Sequence, residues 1–193
     1  MSSKAKKQKE IKPKTKAQNA AEWVLTITIP VLVVLILELF VGKVAYVSGD
    51  SMYPTYHNRD MMIVRMIGYE PEDGDVVLIK TGISTAETDD MVIVKRIIGV
   101  GGDKITINYD ENTVTVNGEV LDEPYINYEP EDPLEDVLES GEVTYTVPEG
   151  TVFVMGDNRN DSLDSRYAVV AFQDEENIIG EVCLTLHTGE LFD

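Results

Sequence analysis

The chain has 193 residues, 43% of them hydrophobic, and a formal net charge of −19. That is enough apolar material to fill the core of one ordinary domain with chain to spare, which argues against a disordered polypeptide. The acidity argues against nucleic acid as a partner of the folded part, since phosphates would be repelled without any gain from counterion release. Taken in chain order, residues 1–21 come first and carry Lys4, Lys6, Lys7, Lys9, Lys12, Lys14 and Lys16 against the single acid Glu10, and they read as a basic cytoplasmic tail. The run "WVLTITIPVLVVLILELFVG", Trp23 to Gly42, follows. As a helix rising ~1.5 Å per residue it covers about 30 Å, the thickness of a hydrocarbon core. Residues 22–42 are therefore expected to form a single transmembrane anchor, kinked at Pro30, with Glu38 close enough to the far end to reach the interface beside Lys43. Lysines before the span put the N-terminus inside the cell and residues 43–193 outside. A cleaved secretory signal is the competing reading, but "KVAYVSGD" offers no convincing small-x-small site.

Beyond the anchor the pattern is β. The runs 61–66, 75–80, 91–98, 103–109, 113–116, 143–147 and 151–156 are short, rich in β-branched residues and punctuated by Gly, Asn or Asp. Many strands at this spacing predict a mainly β domain, a barrel or a pair of packed sheets. Asn117-Gly118 predicts a tight hairpin turn with positive φ. Residues 122–142 break the pattern with nine acids and no Lys or Arg, and read as a solvated excursion rather than a binding lobe. Cys183 is the one cysteine, so it cannot make an internal disulfide. In "EVCLTLH" it is expected to be a small buried core residue. No Cys/His cluster has metal-ligand spacing, so no metal is expected.

Three polar stretches stand out: "SGDSMYPT" (48–55), "VKRIIGVGGD" (94–103) and "GDNRNDSLDSR" (156–166). Alone, each is ordinary: a turn serine, a strand lysine, a bend. Together, after an N-in anchor and with "GDVVLIK" and "NGEVLDEPYIN" between them, they resemble the bacterial type I signal peptidases, membrane-bound serine proteases with a Ser-Lys dyad. The resemblance covers nearly all of the chain, and the single span is similar to the form found in Gram-positive bacteria. It implies a largely β catalytic domain, release of exported preproteins at small-x-small sites, and no cofactor. On it, Ser51 is the nucleophile and Lys95 the base. Ser162 orients the Lys95 amine, and Asp164 with Arg166 forms an ion pair shaping the site. Gly49 stands where Gram-negative members offer a serine hydroxyl as second oxyanion donor, which leaves that donor open.

The residues support the same chemistry independently. A serine hydroxyl needs a base, usually histidine, but His57 and His187 lie in no matching motif and read as a surface and a strand-end residue. Lys95 shares a strand face with Met91, Ile93 and Ile97, an apolar setting that disfavours the ammonium form. Arg96, on the opposite face, reads as structural. The Ser51 backbone N–H is the expected oxyanion donor, and Asp50 is expected to point outward. An extended signal-peptide end can pair with sheet edges, its small side chains entering shallow pockets, and the resemblance implies that these edges are Val44 to Val47 and Val92 to Val94. Met52 and Tyr53 either dip into the outer membrane surface or pack in the core. The expected partners are preprotein signal peptides and the lipid bilayer. Rival readings are a soluble repressor-type autoprotease, a dedicated pilin-processing peptidase, and a non-catalytic factor of pilus assembly. The anchor and basic tail count against the first, and retention of both Ser51 and Lys95 counts against the last.

Overall fold

The computed structural model describes residues 16–85, 88, 90–126 and 141–188, with side chains of the first helix described over 22–34. Most of the basic tail and residues 127–140 of the acidic excursion lie outside the described residues, as does the side chain of Glu38. The chain divides into two compact units, Met1–Leu39 and Phe40–Asp193. The first holds most of helix α1, Lys16–Val41, with Pro30 inside it. Its described apolar side chains, Trp23 to Val34, are all well exposed. Among the described residues, no helix is long and apolar enough to cross a membrane. The apolar run continues into residues 35–41, whose side chains lie outside the description.

The second unit is mainly β, as the short β-branched runs lead one to expect. In chain order its strands are β1 Lys43–Tyr46, β2 Met61–Arg65, β3 Val76–Lys80, β4 Val92–Val100, β5 Lys104–Asn108 and β6 Thr113–Val116. They continue as β7 Glu119–Val120, β8 Glu142–Thr146, β9 Thr151–Met155, β10 Gln173–Asp174 and β11 Ile178–Leu186. One sheet has the order β1-β2-β11-β3-β4-β9-β10 and the other β7-β6-β5-β8, every pairing antiparallel. Among the described residues the strands thus form two sheets, within the mainly β architecture expected. The β6-β7 hairpin turns at Asn117 and Gly118, with φ of 52° and 90°, the left-handed values an Asn-Gly turn supplies cheaply.

Three apolar clusters position the site. Ile98, Phe153 and Met155 of the larger sheet pack with Ile105, Ile107, Val114 and Val116 of the smaller one. Val77, Ile79, Ile97, Val152 and Val154 form a second cluster, joined by Ile93. Val47, Met52, Tyr56, Met62, Val64, Val76 and Leu78 form the third. The larger sheet is thus packed on both faces, which explains the nearly continuous apolar runs of β3 and β9.

Strand β4 is paired unevenly along its length. Val92 to Arg96 pair with β3, but pairing with β9 begins only at Arg96, opposite Met155. Among the described residues, the first half of β4, just before the lysine, therefore has no strand on its β9 side.

Candidate active site

Ser51 sits in the turn that links β1 to β2. The turn is fixed from within by Tyr53 N–H donating to Asp50 O at 3.0 Å and Tyr56 N–H to Met52 O at 3.0 Å. It is fixed from below by Met52 and Tyr56, 1% and 9% exposed in the core. Loop 156–166 holds the turn from the other side, with Asn158 N–H donating to Ser51 O at 3.0 Å and Asn158 Nδ2 to Asp50 O at 3.1 Å. Thr55 Oγ1 donates to the Asp157 carboxylate. Gly156 is required by this close approach: a Cβ there would stand 2.2 Å from Ser162 Oγ and 2.4 Å from Ser51 O.

Lys95, on β4 opposite Val77, is buried. Its Nζ donates to Ser51 Oγ at 2.6 Å and to Val94 O at 3.0 Å. Burial lowers the amine from 10.5 to about 8; the negative charge of Asp164 opposes this, and Arg166 adds to it. At pH 7 roughly a tenth of such an amine is neutral, where a free lysine has about one part in a few thousand. A neutral amine in contact with a serine hydroxyl can accept its proton.

Behind the pair lies a buried ionic scaffold. The Asp164 carboxylate takes a forked pair of bonds from Arg166, at 2.8 and 2.9 Å, and a third from Gly156 N–H at 3.0 Å. Burial pushes the Asp164 carboxyl up, but the Arg166 charge and these bonds outweigh it and hold it below the usual range. Arg166 also donates to Arg159 O at 2.9 Å, while the Arg159 guanidinium grips Glu123 through both nitrogens. A second fork joins Arg96 to Asp157, with Arg96 donating to Gly74 O and stacking 3.9 Å above the Tyr125 ring centroid.

A family profile described as "Signal peptidase, peptidase S26" matches residues 20–187. The chain belongs to the signal peptidase family. Signal peptidase I S of Bacillus subtilis (strain 168) is 36% identical over 167 residues, covering 82% of this chain and 84% of that protein. Signal peptidase IB of Staphylococcus aureus is 33% identical over 174 residues, covering 83% and 86%. A solved signal peptidase I from Enterococcus faecalis V583 superposes with a TM-score of 0.46 and 27% identity, over 59% of this chain and 97% of that one.

In this signal peptidase, Ser51, Lys95, Asp164 and Arg166 gather as described, while other residues fall differently from expectation. Ser162 is buried, 4% exposed, with its side chain helping to hold the Asp164 carboxyl down, while the Lys95 amine donates to Ser51 and to Val94. Met52 is a core residue and cannot dip into a membrane surface, whereas Tyr53 is 42% exposed. Val47 is also in the core, with its N–H given to Asp60 O and its C=O taken by Arg59 N–H, so the strand edge it was expected to offer is already used. Val44 and Val92 are exposed on β1 and β4, and Val94 is half-buried against the third cluster. Gly49 has φ of 92° with open space where a side chain would stand, and Asp50 is exposed. Cys183 is exposed rather than buried, because the β11-β2 register shifts between Val182 and Leu184 and the bulge breaks the alternation. Arg96, read as structural, holds the loop through Asp157.

Asn158, Asp157, Glu123 and Arg159 were not singled out from sequence. Their signal was present only as blocks: "GDNR" and "LDEPY" carry them, but no spacing rule pairs Glu123 with an arginine 36 positions on.

Proposed function

We propose that the chain is a membrane-anchored signal peptidase I that cleaves signal peptides from exported preproteins after small-x-small sites, using Ser51 and Lys95 and no cofactor. Residues 22–42 are its single span, residues 1–21 its cytoplasmic tail, and residues 43–193 its extracytoplasmic catalytic domain at the bilayer surface. The observation that carries the reading is the 2.6 Å contact between Lys95 Nζ and Ser51 Oγ, with the amine lowered to about 8. Ser51 Oγ attacks the scissile carbonyl as Lys95 takes its proton, forming a tetrahedral oxyanion that the Ser51 N–H stabilises. The Lys95 ammonium then gives the proton to the departing amine, leaving an acyl ester on Ser51. Lys95, neutral again, deprotonates a water that attacks the ester, and the regenerated hydroxyl recovers that proton. Peptide backbone at Val44 to Tyr46 of the end strand β1, and at Val92 to Val94 where β4 lacks β9, supplies the edges a substrate strand pairs with. Asp164 and Arg166 hold the floor of the site.

The test is to incubate the full-length protein in detergent with a panel of preproteins and pilin precursors and to sequence the new N-termini. Wild type cleaves after small-x-small sites, while Ser51→Ala and Lys95→Arg lose cleavage by several orders of magnitude. Substantial turnover by Lys95→Arg would end the lysine-base mechanism. Cleavage confined to pilins would assign the dedicated role instead.

A further inference from the structure

The two histidines of the chain meet at one carboxylate. Leu186, the last residue of β11, pairs with Met61, the first of β2, so the antiparallel register carries His187 to a place opposite Asp60. His187 Nδ1 lies 2.8 Å from Asp60 Oδ2, and His57 Nδ1 lies 3.8 Å from the same oxygen. The donor atoms of His57, Asp60 and His187 all fall within 4.8 Å of one another. The rings are nearly perpendicular, 83°, with centroids 6.0 Å apart.

Two details separate this group from an ordinary hydrogen-bonded latch. A latch needs one imidazole, and His187 already provides it. His57 Nδ1 is nevertheless shielded from solvent without a hydrogen-bond partner, turned toward a fully buried carboxylate. A buried nitrogen without a partner is costly unless something binds it. The carboxylate is itself oriented, since His57 N–H donates to Asp60 Oδ2 at 2.9 Å, the kind of supporting bond that aims ligands at metals.

We propose that His57, Asp60 and His187 bind one divalent transition-metal ion, zinc by their chemistry, which clamps the end of β11 to the turn that follows Ser51. Two imidazoles and one carboxylate are the donor set of zinc and not of magnesium or calcium, which take oxygen ligands. Tetrahedral zinc with bonds of about 2.0–2.2 Å brings its ligand atoms to about 3.4 Å apart; the observed 2.8 and 3.8 Å separations bracket that value. Three protein ligands leave a fourth position for water. The turn is already tied to the strand end by Thr188 Oγ1 donating to Arg59 O at 2.7 Å, so the ion would lock an existing contact and not have to create one.

The experiment uses untagged full-length protein in detergent, stripped with a chelator, and titrated with ZnCl2 by calorimetry and with CoCl2 by visible absorption. The expected result is one equivalent bound per chain, a d–d absorption band of tetrahedral cobalt, and a melting temperature raised by about 5–10 °C at free zinc 100-fold above its dissociation constant. MgCl2 gives no such rise. His57→Ala and His187→Gln each weaken zinc binding at least about 10-fold and abolish the rise, while Cys183→Ser, which removes the exposed thiol, changes neither. The metal-free melting temperature of each variant shows that it is folded, and His187→Gln at a half-exposed strand end keeps a polar group should His57→Ala fail that check. Absence of one-to-one binding, or zinc binding of undiminished strength in the folded histidine variants, would overturn the proposal.

Discussion

Replacing Lys95 by methionine should inactivate the protein and stabilise it at the same time. Burial lowers the amine from 10.5 to about 8, a difference that amounts to about 3 kcal/mol held against the folded state while the amine is charged. Methionine has similar length and no charge, so it removes that penalty. It also takes a donor from Ser51 Oγ and Val94 O, which returns about 1 kcal/mol. The net gain at pH 7 is about 2 kcal/mol, or about 4–8 °C in melting temperature for a domain of this size. The gain depends on pH in a defined direction. Below about 8 the lysine is protonated in both folded and unfolded chains, and the wild type bears the whole penalty. Between about 8 and 10.5 the unfolded chain alone keeps the proton, so wild-type stability rises with pH. Above 10.5 both states are neutral and the advantage of methionine is gone. Scanning calorimetry of both proteins in one detergent, at pH 7 and at pH 10.5, measures this directly. A methionine variant less stable than wild type at pH 7, or a gap unchanged between the two pH values, would refute the picture of a lysine desolvated for use as a base.

Three further outcomes follow from the same geometry. At subsaturating substrate, cleavage should fall about tenfold per pH unit on the acid side of about 8 and level off above it; a flat profile between pH 6 and 9 would contradict the role of Lys95. Gly156→Ala should lose at least about 1–3 kcal/mol of stability and most activity, and pairing it with Ser162→Ala should restore neither in full, because the Ser51 carbonyl still blocks the new methyl. Asp164→Asn leaves the buried Arg166 guanidinium uncompensated and should cost about 3–5 kcal/mol in urea unfolding; a loss under 1 kcal/mol would show that Arg166 finds another partner.

The strands were readable because most follow simple rules. Thr113 to Val116 and the Asn117-Gly118 turn specify their hairpin locally, and period-two alternation puts Lys95 with Ile93 and Ile97 without any long-range information. What sequence could not supply was pairing across distance. Asp60 and His187 stand 127 positions apart, and the β11-β2 register joins them, so no local spacing in the sequence brings them together. Cys183 was misjudged for a different reason: a bulge adds one residue to the strand and shifts the phase of everything after it. Met52 had two open readings since a turn has no periodicity, and its packing against Met62, Val64, Val76 and Leu78 decides between them. The Ser51 and Lys95 pairing was legible through resemblance, and the apolar face of β4 supplied a physical reason for it.

Strand β11 comes after β2 and β3 in the chain, yet it lies between them in the sheet. Without it, β2 and β3 are two strands with a one-strand gap between them. The turn bearing Ser51 leads into β2, and the lysine is on the strand that pairs with β3, so the two halves of the dyad are hung on opposite sides of that gap. Strand β11 is thus the keystone between the strand that follows Ser51 and the strand that pairs with the one bearing Lys95.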